Sequence, residues 1–448
     1  MSFVLLWAFF FLAANSAPSV FAQGGTNCEC VPNEVIFELV NPANLPAIAV
    51  QYGLDPIPLG QVGTPPTYRM RIIGGASPTE LVTSMQNDMR ITKPEVNRKL
   101  SAVEREGLPW TQGQSWSVGV RAKSYARQWF PNKIRLNEAH NSPSGSRGAG
   151  VTIAVLDTGI DMRQAAFAGK LVPGYDFVDN DVNPSEVGVL RQGVYGHGTH
   201  VAGIIALTAP EAKIMPLRVL DSNGEGELWR VAAAILWAAE NGADIVNISF
   251  GYPNQVPLLK DLADFCDDGI TPDAKNFPEA GTGRLAFVIA AGNGGQIGNG
   301  TGFIFPAAER AFSVDGILAV GASTSGDKLA SFSTMSNGGG SGGDRWVRAV
   351  APGENIISAL PGKTFAPWSG TSMAAPIAAG IAALVKSRNP NISSIALIDQ
   401  VEDTGIEWEC FNAARGIVVK TSRVDALCAV TNNQNCGFDP NVCQLSLF

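Results

Sequence analysis

Histidine is rare in this 448-residue chain, which has three, and charge is thin, with Asp, Glu, Lys and Arg at 16% of residues. So few imidazoles leave little choice for acid–base work, and the surroundings of each decide its role. Cationic residues are not in excess, 32 Lys and Arg standing against 40 Asp and Glu, and the net charge of -8 argues against nucleic acid as a partner. Beyond the first residues no stretch has the length and unbroken apolarity of a membrane helix. No cysteines show the paired spacing of a zinc site, and no loop carries the glycine and closing glutamate of an EF-hand.

What is present suits a large core. The chain is 45% hydrophobic and longer than one ordinary domain. Val4 to Ala14 is apolar but too short to span a bilayer, and the small-residue exit at Val20-Phe21-Ala22 predicts a signal peptide over 1–22, hence secretion. Seven cysteines leave at least one unpaired. Cys28 and Cys30 lie too close for an easy mutual disulfide, while Cys266, Cys410, Cys428, Cys436 and Cys443 permit two bridges, clustered towards the C-terminus.

Three separated blocks carry the chemistry: VLDTGID at Val155–Asp161, GHGTHVAG at Gly196–Gly203 and GTSMAAP at Gly370–Pro376. A serine hydroxyl is a poor nucleophile until a base takes its proton, and that base needs a group to fix its tautomer. Asp157, His197 and Ser372 fill those three roles. Asp157 ends the apolar run VTIAVL, a strand buried on both faces. The apolar stretch after His197, VAGIIAL, reads as a packed helix. Ser372 precedes an Ala-rich helix over Met373–Val385, with Pro376 expected in its first turn and Gly380 its weak interior point. His200, one helical turn from His197, competes for the role of base; His140 lies in a polar segment and reads as a surface residue.

The chain order Asp, His, Ser and the flanking residues closely resemble the subtilisin-like serine peptidases, or subtilases, from about Trp129 to Val430. The resemblance implies a mostly parallel α/β sheet flanked by helices. It puts the base on His197, leaving His200 structural, and gives Asn293 of IAAGNGG the oxyanion-donating role. It also implies peptide-binding edges at Gly224, Glu225 and Gly226 and at Ser249, Phe250 and Gly251, with Ala290, Ala291 and Gly292 walling the pocket for the residue before the scissile bond. No acid stands beside that pocket, so a broad or apolar preference is expected.

Ahead of this body, Glu34–Val40, Asn44–Tyr52, Ile57–Val62, Tyr68–Ile73, Pro78–Met89 and Ile91–Asn97 read strand, helix, strand, strand, helix, strand, the last strand the weakest. That is a ferredoxin-like order, and it resembles the inhibitory propeptide of subtilases. The expected organisation is a signal peptide over 1–22, a propeptide over 23–125, a catalytic domain over 126–430 and a cysteine-containing tail over 431–448. The propeptide junction is expected between Asn97 and Gln128, either at Lys123, which suits a basic-specific processing enzyme better than the acid-flanked Arg105, or by self-cleavage at the enzyme's own preference, and the sequence does not decide between the two.

No cofactor is required. Oxygen ligands at Asp176–Asn183 (DFVDNDVN) suit structural calcium, for which a solvated loop is the preferred alternative. Sequons occur at Asn247, Asn299 and Asn391; Asn299 and Asn391 are expected surface acceptors in a glycosylating host, whereas Asn247 lies in the proposed binding strand and is expected to be buried. The partners expected are protein or peptide substrates and the chain's own propeptide. A secreted, self-inhibited serine endopeptidase is the leading expectation; a catalytically silent subtilase-fold peptide binder is the alternative. Tyr252–Arg284, with Cys266 and several prolines, is a long insertion expected to rim the cleft.

Overall fold

The computed structural model describes residues 29–63, 66–102, 120–189, 194–252, 254–268, 285–295, 297–298, 305–308, 315–336, 346–412 and 417–434. The apolar leader and the tail beyond 434 lie outside them, as do Arg105 and Asn299.

The N-terminal unit runs β1 (Cys30–Leu39), α1 (Leu45–Tyr52), β2 (Gly60–Val62), β3 (Thr67–Arg71), α2 (Pro78–Met85) and β4 (Ile91–Ala102). Its antiparallel sheet is ordered β4-β1-β3-β2, the arrangement expected for a ferredoxin-like unit. Period-two alternation in β1 sends Val35, Phe37 and Leu39 into a small core with Ile48, Leu81 and Met85 from the two helices. Ile36 points the other way, into the body of the molecule. Helix α2 starts on a capping box between Ser77 and Glu80, with Pro78 in its first turn. The strand expected to be weakest, β4, is the longest in the chain at 12 residues. Its second half finds partners outside its own unit, which no local pattern could reveal.

The body begins with three short helices, α3 (Ala122–Ala126), α4 (Phe130–Lys133) and α5 (Leu136–Asn141). Then come β5 (Thr152–Asp157), β6 (Tyr175–Asp176), α6 (His197–Thr208), β7 (Lys213–Arg218), β8 (Glu225–Glu227), α7 (Leu228–Glu240), β9 (Ile245–Ile248), β10 (Phe250–Gly251), α8 (Pro257–Asp268) and β11 (Ala286–Ala290). The remainder is β12 (Ile297–Gly298), β13 (Ile317–Ser323), β14 (Met335–Ser336), β15 (Val347–Pro352), β16 (Ile356–Leu360), β17 (Thr364–Trp368), α9 (Thr371–Arg388), α10 (Ser394–Asp403), β18 (Ile406–Asn412), β19 (Ile417–Arg423) and α11 (Ala426–Thr431).

Nine strands form one sheet, ordered β18-β19-β15-β13-β11-β9-β5-β7-β6, parallel except at the β18–β19 edge. Both faces are covered, so alternate residues of one strand feed two cores. Ile153 and Val155 of β5 pack with α6 and α9, whereas Ala154 and Leu156 pack with α7 and α8. Helices α6 and α9 cross closely: a Cβ added to Gly380 would stand 2.5 Å from the Cβ of Thr208. The glycine that looks like a weak point in α9 is what permits that approach.

Part of the 252–284 stretch is α8, which touches the N-terminal unit through Lys93–Asp261 at 2.9 Å. Cys30 and Cys428 are each disulfide-bonded, so Cys30 does not stand outside the disulfide framework as its spacing from Cys28 suggested. Among the described residues no helix is long and apolar enough to cross a membrane.

Candidate active site

Parallel strands deliver the site. Asp157 is the last residue of β5, Ser249 follows β9, and Asn293 follows β11, so all three meet at the carboxyl edge of adjacent strands. Open α/β sheets bind ligands at that edge. Two helix N-termini, α6 with His197 and α9 with Ser372, are brought to the same edge.

His197 Nδ1 lies 2.7 Å from Asp157 Oδ1, with both side chains 1% exposed. The same carboxylate oxygen accepts from the Thr158 backbone N–H at 2.8 Å, which orients it. With Nδ1–H donated to Asp157, His197 carries Nε2 as its basic nitrogen. Gly198 lets the helix start press against this strand end, since a side chain there would overlap the Gly159 carbonyl and the Asp157 Cβ. His200 is buried and stacked on Trp368, centroids 4.5 Å apart and planes 5° apart. Its Nε2–H donates to the Ala366 carbonyl at 3.0 Å. Burial pushes its pKa down to about 3, so it stays neutral. His140 is half-buried rather than on the surface: Nε2–H donates to the Thr208 carbonyl at 2.9 Å, and burial lowers its pKa.

Ser372 is the second residue of α9 and fully buried. Its hydroxyl donates to the Ser249 carbonyl at 3.1 Å. Pro376 sits in the second turn, not the first. Lacking an N–H, it leaves the Ser372 carbonyl without its helical partner, and the Ser249 hydroxyl donates there at 3.3 Å. Asn247 Nδ2 donates to that hydroxyl at 3.1 Å, and Asn247 is completely buried.

The side chain of Asn293 is fixed by its oxygen. Oδ1 accepts from Thr371 N at 2.8 Å and Thr371 Oγ1 at 3.0 Å, so the amide is oriented through its oxygen and Nδ2 is left for other acceptors. Thr371 Oγ1 in turn accepts from Gly292 N at 3.0 Å, and Gly292 has a φ of 102°, a left-handed conformation suited to glycine. Thr371 was within a block already singled out, yet its orienting role needs the fold to be seen.

The expected peptide-binding edges are both paired, and with the same strand. Strand β4 is antiparallel to β8, matching Leu100 with Gly226 and Ser101 with Glu225, and antiparallel to β10, matching Ser101 with Gly251 and Ala102 with Phe250. Gly224 makes the turn into β8, with a φ of 77°. Phe250, Ala290 and Ala291 have buried side chains, so what they present is backbone. Two further groups of the N-terminal unit complete helix ends: Asn97 Oδ1 accepts from Trp229 N of α7 at 3.1 Å, and Glu95 Oε2 accepts from Leu258 N of α8 at 3.3 Å.

Calcium does not fit Asp176–Asn183. Arg218, buried beneath it, donates to Asp176 Oδ2 at 2.6 Å and Asp179 Oδ2 at 2.5 Å, and Asp176 Oδ1 accepts the N–H groups of Val178 and Asp179. A guanidinium already supplies the positive charge. Among the described residues no three or more His, Cys, Asp or Glu gather as metal ligands.

Residues 148–435 match the subtilase family, peptidase S8. A thermophilic serine proteinase from Bacillus sp. (strain AK1) is 32% identical over 361 residues, which are 78% of this chain and 75% of that protein. Thermitase from Thermoactinomyces vulgaris is 35% identical over 298 residues, 63% of this chain and 92% of thermitase. Among solved structures, fervidolysin from Fervidobacterium pennivorans, a keratinolytic enzyme related to subtilisin, shares the fold with a TM-score of 0.63 at 20% identity, over 90% of this chain and 61% of its own.

Proposed function

Because the chain belongs to the subtilase family and is a serine endopeptidase, we propose that Asp157, His197, Ser372 and Asn293 carry its reaction. The observation that carries this assignment is the buried 2.7 Å pair of His197 and Asp157 at the strand edge where Ser372 also lies. His197 Nε2 takes the Ser372 proton as Oγ attacks the peptide carbonyl carbon. The Asn293 amide and the Ser372 N–H at the start of α9 receive the oxyanion. His197 returns the proton to the leaving amine nitrogen, leaving an acyl-enzyme. A water then gives a proton to His197 and attacks the ester, and Ser372 is restored. A fluorophosphonate probe tests this: the matured protein should label and Ser372→Ala should not, and labelling that persists in the variant overturns it.

The N-terminal unit is proposed as an intramolecular inhibitor. Its β4 adds as the middle strand between β8 and β10, the way an extended substrate would bind, and the caps on α7 and α8 strengthen the seat. Its register also supports a cut site. Ala102, the last described residue of β4, lies opposite Phe250, and the residue just before Phe250 is Ser249, whose carbonyl is 3.1 Å from Ser372 Oγ. Self-cleavage is therefore proposed after Val103, well before residue 125, and a valine there accords with an apolar preference. The matured protein should begin at Glu104. Lys123, exposed on α3, remains open to a second enzyme.

Secretion is proposed on the apolar N-terminal stretch and on disulfides at Cys30 and Cys428, which suit an oxidising compartment. Asn391, exposed ahead of α10, is the sequon that a glycosylating host would reach.

A further inference from the structure

Glu186 is a largely enclosed carboxylate that neither the triad nor the oxyanion donors employ, yet it touches residues on both sides of the catalytic pair. Its Oε1 accepts from Thr158 Oγ1 at 2.6 Å and Gly196 N at 3.1 Å. Its Oε2 accepts from Thr199 Oγ1 at 2.7 Å and Thr199 N at 3.2 Å. Thr158 follows Asp157, while Gly196 and Thr199 bracket His197. Both hydroxyls are relays: Thr158 Oγ1 accepts from Gly198 N at 3.0 Å, and Thr199 Oγ1 accepts from Asp161 N at 2.9 Å. One carboxylate thus ties the start of α6 to the turn after β5. The segment bearing it is pinned to that turn as well, Ile160 N donating to the Pro184 carbonyl at 3.0 Å and Glu186 N to the Ile160 carbonyl at 3.2 Å.

We propose that ionised Glu186 is a positioning residue for catalysis, holding His197 in register with Asp157 by clamping the first turn of α6 to the strand end. Four donors and no acceptor surround its oxygens, which suits the charged form, and the N-terminus of α6 favours an anion. Burial works against it: desolvation raises its pKa to about 7, with the Asp157 charge adding to the rise and the three hydrogen-bonding partners opposing it. The titratable groups facing it are Asp157 on β5 and Tyr195 ahead of α6, with Asp161 and Arg163 beside Tyr195. Protonation would set one acid hydrogen against those donors and loosen the clamp as the pH falls through neutrality. The acid limb would then carry two protonations, on His197 and on Glu186, each of which lowers the rate.

This inference rests on His197 being the base, and its failure is distinguishable from failure of that reading. The test measures kcat, KM and kcat/KM from pH 5 to 9 for matured wild type, Glu186→Gln and Thr199→Val, with rates normalised to sites titrated by a fluorophosphonate so that misfolded protein does not count. Glu186→Gln should lose about 10- to 100-fold in kcat with KM within about twofold, the cost of a misplaced catalytic group. The acid limb of log kcat/KM should fall from a slope approaching two in wild type to a slope of one in the variant. Thr199→Val keeps the backbone donor but removes the hydroxyl, so its acid limb should move to higher pH. A Glu186→Gln enzyme with unchanged kcat, or with reduced kcat but the wild-type acid slope, overturns the proposal. If that variant yields no titratable sites, an unmoved acid limb in Thr199→Val overturns it instead. Should Ser372→Ala still label, the base assignment has failed and not this refinement of it.

Discussion

At the scale of single residues, the proposed site separates groups assigned to the reaction from groups that hold them. Asn293 is anchored through its oxygen by Thr371 and presents its amide nitrogen. Asn293→Ala should therefore lower kcat by about 10²- to 10³-fold, the range set by losing one such donor in a subtilisin, with little change in KM. Thr371→Val removes the hydroxyl but keeps the backbone donor and should cost less than Asn293→Ala in the same assay. His200 gives a pH prediction. Its folded pKa, about 3, lies below the ordinary value for histidine, so the unfolded chain binds the proton more readily. The stability its neutral form contributes is fully present above about pH 6.5 and declines as the pH falls towards 3. Measured in a Ser372→Ala background to prevent autolysis, the difference in unfolding free energy between His200 and His200→Gln should shrink by about 1.4 kcal/mol per pH unit between pH 6 and 4. A constant difference would mean that His200 does not titrate out of its stack with Trp368. Asp157, His197, Ser372 and Asn293 were legible as residue types in ordered blocks. Glu186 was not, because its relevance comes from a loop folding back across 26 residues to reach Ile160, with no spacing rule to announce it.

At the scale of elements, helices α6 and α9 show how close packing places chemistry. Both enter at the carboxyl edge of the sheet with a candidate site residue in the first turn, and Gly380 of α9 lets the two approach at Thr208 of α6. Gly380→Ala should destabilise by about 1–3 kcal/mol, because its Cβ meets the Thr208 Cβ and neither backbone can withdraw. Differential scanning calorimetry of the Ser372→Ala protein checks this; an unchanged Tm would show that the crossing has slack. The strands β5 and β11 were readable as continuous apolar runs, since burial on both faces erases the period of two. Proline position in α9 was not, because the hydroxyl that donates to the vacated Ser372 carbonyl belongs to Ser249, on a distant strand end.

At the scale of the whole molecule, the N-terminal unit and the body meet through one strand. Strand β4 closes its own ferredoxin-like sheet and fills the gap between β8 and β10, while Asn97 and Glu95 cap two helices of the body. Replacing a cap by alanine typically costs about 0.5–2 kcal/mol, so Asn97→Ala should weaken inhibition of the matured enzyme by the released N-terminal segment about 2- to 30-fold. Inhibition unchanged by Asn97→Ala would leave the strand pairing alone to hold the segment. The sequence by itself determined the chemistry and the class: an ordered acid, imidazole and hydroxyl, apolar runs long enough for a buried parallel sheet, and a strand–helix rhythm for the leading unit. These are local, because residue type and periodicity are written in neighbouring positions. Only the tertiary structure decided that β4 pairs with both β8 and β10, that Arg218 is held by the carboxylate of Asp176, and that Glu186 accepts from residues on both sides of the Asp157–His197 pair. Those are contacts between segments distant in the chain, and such pairings exist only once the core that brings the segments together has formed.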